Sequence, residues 1–230
     1  MPRIARVVIP GLPHHHVTQR GNRRDDVFFS DDDRRRYLQL LLEYSVKHGL
    51  EILAYCLMTN HVHLVGIPAR ADSLSLVMKP LDLLYSQHVN WTQAISGHLW
   101  QGRFFSCPLD EEHLWAAIRY VERNPVRARI VRRAENYAWS SAAAHCGMRE
   151  DPILSRLPRG RPAKTEEWSA WLAEVEDAKM LVKLRLYTRT GRPAGSKRFI
   201  AKLEARLGRR LAPKRVGRPR KAPPGSQGTT

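Results

Sequence analysis

Residues 51–67 read EILAYCLMTNHVHLVGI. Two apolar runs, 51–57 and 61–67, flank the short turn Met58-Thr59-Asn60. Runs of this length around so short a break predict a β-hairpin. Side chains alternate along a strand, so His61 and His63 fall on one face of the second run. Two imidazoles on one face can converge on a metal or a phosphate. The spacing alone is weak, because a second triplet of the same form, His14–His16, occurs in a chain with ten histidines. On spacing alone, two strand histidines making ordinary hydrogen bonds are the commoner case.

Working outward, 14–20 (HHHVTQR) predicts a short strand after Pro10, Gly11 and Pro13, broken by Gly21-Asn22. Ser30 and Asp31 can cap a helix over 34–48, in which Leu38, Leu41, Leu42 and Val46 recur at helical spacing before Gly49 closes it. A helix is expected over 74–91, with Pro80 kinking or splitting it. Segment 98–106 (HLWQGRFFS) reads as strand or loop. Asp110 caps a helix from 111 to about 124, where Pro125 stops it. A short helix is expected within 139–145. Residues 147–164 are rich in Pro, Gly and charge and read as a linker. A helix over 165–183, the loop TRTGRPAGS (188–196) and a short basic helix capped by Ser196 follow, the last ending before Gly208. The expected organisation is an α+β unit over 1–146, a linker over 147–164, a helical basic extension over 165–211, and a disordered basic tail over 212–230.

Charge points to the partner. The chain carries a formal net charge of +17 over 230 residues. Residues 151–230 hold 20 Lys and Arg against 7 Asp and Glu, a net of +13, while residues 1–150 contribute +4. A field of this sign captures polyanions, held first through phosphates. The basic extension has few large apolar residues, which argues against a membrane anchor, and no run approaches the length of a membrane span. Cys56, Cys107 and Cys146 lie too far apart for a zinc motif and are odd in number, so neither metal nor disulfides frame the fold. The expected address is the cytoplasm, at the nucleoid.

On a helical wheel for 110–125, Leu114, Ala117, Ile118 and Val121 form one stripe, and Tyr120 and Asn124 share the flank beside it at i and i+4. One reading is a boundary tyrosine with its hydroxyl in water. The other is a nucleophile beside a polar metal ligand. A phenol, with a pKa of about 10, needs help from a metal-polarised phosphate and nearby positive charge to act so. Glu112 and Glu122 are near in sequence, but the wheel turns Glu122 away from Tyr120.

Four ordered segments carry a resemblance: HVTQRGNRRDDVFF (16–29), AYCLMTNHVHLV (54–65), HLWQGRFFS (98–106) and YVERNPVRARIV (120–131). With them the chain resembles the REP-associated tyrosine transposases, within the HUH single-strand nucleases and IS-type single-tyrosine transposases. The likeness covers 14–131 and much of the extension. It implies an α+β fold, a ferredoxin-like or RRM-like antiparallel sheet flanked by helices. It implies that His61 and His63 bind Mg²⁺ or Mn²⁺ with Asn124 as third ligand, the nitrogen ligands suiting Mn²⁺ the better. Tyr120 would then attack single-stranded DNA to give a 5′-phosphotyrosine and a free 3′-hydroxyl, at sites flanking imperfect hairpins. Gln19, Arg20 and Asn22 match the family's TQRGN turn and Arg103 its WQGRF segment, which implies contact with DNA. Arg192 is expected to clamp a hairpin stem. Arg218 and Arg220, in VGRPRK (216–221), form either an AT-hook-like arm or a non-specific basic tail. A monomer rather than a homodimer is expected. Two other readings stay open: a non-catalytic DNA-binding protein on the same fold, and a phosphoesterase that uses the histidines with water as nucleophile.

Overall fold

The computed structural model describes residues 7–9, 14–160 and 162–211. Its centre is a four-stranded antiparallel sheet of β1 (His14–Arg20), β2 (Leu50–Met58), β3 (His61–Pro68) and β4 (Phe105–Leu109), in the order β2-β3-β1-β4. Helices α1 (Asp31–His48) and α2 (Ser73–Thr92) make the crossovers, so the chain runs βαββαβ in ferredoxin-like order. The hairpin read from 51–67 is β2–β3, paired in register from Met58↔His61 to Leu50↔Pro68 with a bulge between Ile52 and Ala54. Gly66 lies opposite that bulge, and a Cβ there would stand 2.6 Å from the Glu51 carbonyl oxygen. Only glycine lets the two strands close at this point.

Local chemistry sets the helix ends. Ser30 caps α1 in a capping box: its side chain accepts from the Asp33 N–H, while Asp33 accepts from the Ser30 N–H. Gly49, at φ 63°, closes the helix in the left-handed conformation. Pro80 does not split α2, which runs unbroken past it.

Alternation along the strands sends residues to two cores. Val17, Leu57, Val62 and Leu64 pack under α1 and α2 with Tyr37, Leu41, Met78 and Tyr85. Ala54, Cys56, Val65 and Cys107 pack under α3 (Glu111–Glu122), whose Leu114, Ala117, Ile118 and Val121 are fully buried. The helical stripe read from the sequence is therefore the face that meets the sheet. Next come the short helices α4 (Asn124–Arg127) and α5 (Ala142–His145), then α6 (Trp168–Ala173), α7 (Ala178–Thr190) and α8 (Lys197–Leu207).

The C-terminal third differs from its sequence reading. The helix expected over 165–183 is broken: α6 ends at Ala173, and α7 starts anew with Asp177 accepting from the Lys179 N–H. The loop expected from 188 is helical through Thr190, with Gly191 closing it at φ 69°. Trp168, Leu172 and Leu184 are buried in the same core as α3. Segment 147–160 is tied to the β2 edge: the Ser155 N–H donates to Ile52 and the Tyr55 hydroxyl to Asp151. The expected tail over 212–230 lies outside the described residues.

Candidate active site

The hairpin sets His61 and His63 on the face of β3 that α3 crosses. Their rings meet edge to face, centroids 5.0 Å apart. Asp110 anchors the start of α3 by accepting from the His113 N–H at 3.0 Å, and the helix carries Tyr120 over the sheet. The Tyr120 ring stands edge-on to His63 at 5.6 Å and to His16 at 5.8 Å. The sequence reading left open a tyrosine at the solvent boundary; the residue is only 9% exposed. The wheel allowed for one covering surface, whereas α7 covers the second flank. Arg127 lies 4.1 Å from the Tyr120 ring centroid and Arg185, from α7, lies 5.9 Å from it. Glu176 holds Arg127 in place through both carboxylate oxygens, at 2.9 and 3.1 Å.

Asn124 opens α4 one turn beyond Tyr120 and is buried, and its side-chain Nδ2 has no hydrogen-bond partner among the described residues. His61 is oriented from behind. Asn60 donates its Nδ2 to the Arg24 carbonyl at 3.0 Å, so its Oδ1 faces His61 Nδ1 at 2.6 Å and takes the proton there. His61 Nε2 is thereby left as the free lone pair. The Arg24 carbonyl belongs to a tight turn in which Arg23 and Arg24 have φ of 52° and 71°. Strain of this kind persists only where surrounding contacts hold it.

Electrostatics keeps these imidazoles neutral. Burial, then the Arg20 charge, lowers the His61 pKa to about 4. Burial, then His61, His16, Arg127 and Arg20, holds His63 well below 6.5. Burial, then Arg127, brings His16 down to about 3. Neutral imidazole is the form that binds a metal. Among the described residues no three of His, Cys, Asp and Glu gather as a metal cluster. The two neutral imidazoles, with the Asn124 side-chain oxygen as a further donor, are a set that would suit a divalent ion.

Other expected site residues divide. Arg20 pairs with His61 across β1 and β3 and lies half-buried. Asn22 sits in the following turn, its N–H on the Leu99 carbonyl, and Arg103 is exposed. Gln19 is turned to the opposite face, 3% exposed, its amide donating to Asp82 and to the Gly102 carbonyl. Strand alternation buries it, and it anchors the loop that carries Arg103. Arg192 donates to the Leu211 carbonyl, so its guanidinium is partly engaged within the fold. Arg218 and Arg220 lie outside the described residues. Trp100 and Phe104, beside Arg103, are core residues. Sequence reasoning missed His16, which stacks on His63 at 5.1 Å. Its signal was the HxH triplet set aside as coincidence, and only the sheet order brings β1 beside β3.

Among curated proteins none matches the chain. Among solved structures, a REP-associated tyrosine transposase bound to a REP hairpin is similar in fold, with TM-score 0.52, 15% identity, and coverage of 69% of this chain and 99% of that one. A candidate transposase from Deinococcus radiodurans R1 is 19% identical over 53% of this chain and 97% of its own, at a TM-score of 0.37, and carries no argument. The family model described as "Transposase IS200 like" matches residues 12–124. That segment starts just ahead of the strand bearing His16 and ends on Asn124, so His16, His61, His63, Tyr120 and Asn124 all fall inside it, and the chain belongs to the IS200-like transposases.

Proposed function

We propose that this transposase cleaves and rejoins single-stranded DNA beside hairpins, with Tyr120 as nucleophile and a divalent cation, Mg²⁺ or Mn²⁺, at His61, His63 and Asn124. The Tyr120 oxygen bonds to phosphorus as the P–O3′ bond breaks. The phenolic proton is given up and the leaving O3′ gains one, which yields a 5′-phosphotyrosine and a free 3′-hydroxyl. A 3′-hydroxyl then attacks the adduct, and the phosphorus–tyrosine bond breaks as the strands join. When bound, the cation supplies Lewis-acid polarisation of a non-bridging phosphate oxygen. The protein's own residues orient the tyrosine and wall the site with the positive charge of Arg127 and Arg185, which favours a phosphate undergoing attack.

The observation that carries this reading is the placement of the Tyr120 ring against His63 with Arg127 stacked on it. Hairpin DNA as partner is supported by the fold likeness to a transposase bound to a REP hairpin. The +17 charge supports binding to nucleic acid at the nucleoid, and we propose that the unit acts in the cytoplasm as a monomer. Arg20, Asn22 and Arg103, grouped at one end of the sheet, are proposed to hold the flanking single strand, with Arg192, Arg218 and Arg220 on the stem.

The test uses labelled single-stranded hairpins with Mn²⁺ or Mg²⁺ on denaturing gels. A slow protein–DNA band that needs metal and is lost in Tyr120→Phe is expected. Cleavage without that band, persisting in Tyr120→Phe, makes the protein a phosphoesterase. Binding without cleavage makes it a DNA-binding module.

A further inference from the structure

The matched family segment ends at residue 124, yet the histidine pair is wired to a helix far beyond it. Thr188, on α7, is 7% exposed and donates its single hydroxyl hydrogen to the Leu184 carbonyl at 2.7 Å. Its oxygen lies 2.9 Å from His16 Nδ1. With the hydroxyl hydrogen already used, that contact needs the proton on His16 Nδ1. The His16 side chain is 1% exposed, and a neutral ring with its proton on Nδ1 has Nε2 as an acceptor. His16 Nε2 lies 2.9 Å from His63 Nδ1, which must then donate. One hydrogen-bond direction, set at a helix carbonyl, thus passes through two rings and leaves the lone pair of His63 on Nε2.

We infer that Thr188 acts through His16 as a positioning residue, fixing His63 in the tautomer whose Nε2 can take a divalent cation, so that the C-terminal extension completes the metal site. The metal half of this inference rests on the function proposed above. The tautomer half does not. Asn60 does for His61 what the Thr188–His16 pair does for His63, so both imidazoles present the same nitrogen. Outer-sphere partners of this kind fix ring orientation and ligand basicity.

The first experiment is ¹⁵N NMR of the imidazoles in the metal-free, full-length wild type. His63 and His16 are both expected to carry their protons on Nδ1. A proton on His63 Nε2 overturns the inference whatever the enzyme's activity. The second is Mn²⁺ titration followed by the loss of its free-ion EPR signal. Thr188→Val, similar in shape but without the hydroxyl, is expected to weaken Mn²⁺ about 10-fold or more and to blur the His63 tautomer, whereas Thr188→Ser restores both. Unchanged affinity and tautomer in a folded Thr188→Val overturn the inference. If that variant does not fold, His16→Gln replaces it: an amide oxygen can still accept from His63, so Mn²⁺ affinity and the His63 Nδ1 proton are both expected to survive, and the loss of either in a folded His16→Gln overturns the inference. A wild type that binds no Mn²⁺ but shows the Nδ1 pattern defeats the metal reading and leaves the tautomer assignment standing.

Discussion

Three consecutive histidines open β1, and the middle one has a different fate from its neighbours. His15 faces away from the site, is fully buried, and has no hydrogen-bond partner for either ring nitrogen among the described residues. Burial, then the adjacent His14, lowers its pKa from 6.5 to about 3. The unfolded chain takes up a proton below 6.5 that the native state refuses, so the stability present above that value drains away as pH falls. The slope for one such group is about 1.4 kcal/mol per pH unit. His15→Leu is expected to raise stability at pH 7.5 by about 1–3 kcal/mol, by removing two unsatisfied polar atoms. It should also flatten the fall between pH 6 and 4, and urea melts across that range check both effects. Asp33 behaves like an ordinary acid group held low. Burial pushes it up, but hydrogen bonds from the Phe29 N–H, His88, the Ser30 N–H and the Ser30 hydroxyl outweigh that. Its contribution is whole above 3.8 and is lost as pH falls through its lower folded value. Asp33→Ala is expected to cost about 1–2 kcal/mol at neutral pH and less once the carboxyl is protonated.

At the scale of the element, α3 is held from behind by its own last residue. Glu122 is fully buried and accepts from the Ser141 hydroxyl and His145, each at 2.5 Å, and from Trp168 Nε1 at 2.9 Å. The wheel had turned it away from Tyr120, and it is a structural anchor for α5 and α6. Glu122→Ala leaves His145 and the Trp168 N–H without their acceptor and is expected to cost about 3–5 kcal/mol in a denaturant melt. The same neighbourhood explains what the sequence hid. Apolar residues continue at helical spacing through 165–183, yet the chain breaks after Ala173. There Arg123 donates to the Leu172 and Glu174 carbonyls and Arg119 to the Glu174 carbonyl, while Glu176 pairs with Arg123 and Arg127. Arginines from another element replace the helix's own N–H donors, which no local pattern can announce. The β2–β3 hairpin and the capped α1 and α3 were legible because alternation, spacing and capping are local. The pairing of His16 with His63 was not, because it needs the order of strands.

At the scale of the molecule, charge and chemistry are separable. The net +13 of residues 151–230 sits mainly outside the strand–helix constellation. Residues 212–230 hold Lys214, Arg215, Arg218, Arg220 and Lys221 and no acidic residue. A chain ending at Leu211 is expected to bind hairpins more weakly at every sequence. Its log–log salt slope should be shallower by no more than about 4.5, the limit if all five cations meet phosphates. A loss confined to A·T-rich stems would mark a minor-groove arm instead. The fold as a whole also limits how a strand of DNA can enter. In RRM-like sheets that bind RNA, the bases lie flat across the exposed face of the sheet. Here α3 crosses that face, Tyr120 is almost enclosed, and α7 closes its second flank. Among the described residues, the face beside the histidines is covered by α3 and α7. On the function proposed above, the strand is expected to reach the tyrosine backbone-first with its bases turned outward, which leaves recognition to the rim. An abasic nucleotide at the cleaved linkage should therefore be cut nearly as well as an intact one, whereas an abasic position among the flanking nucleotides should not.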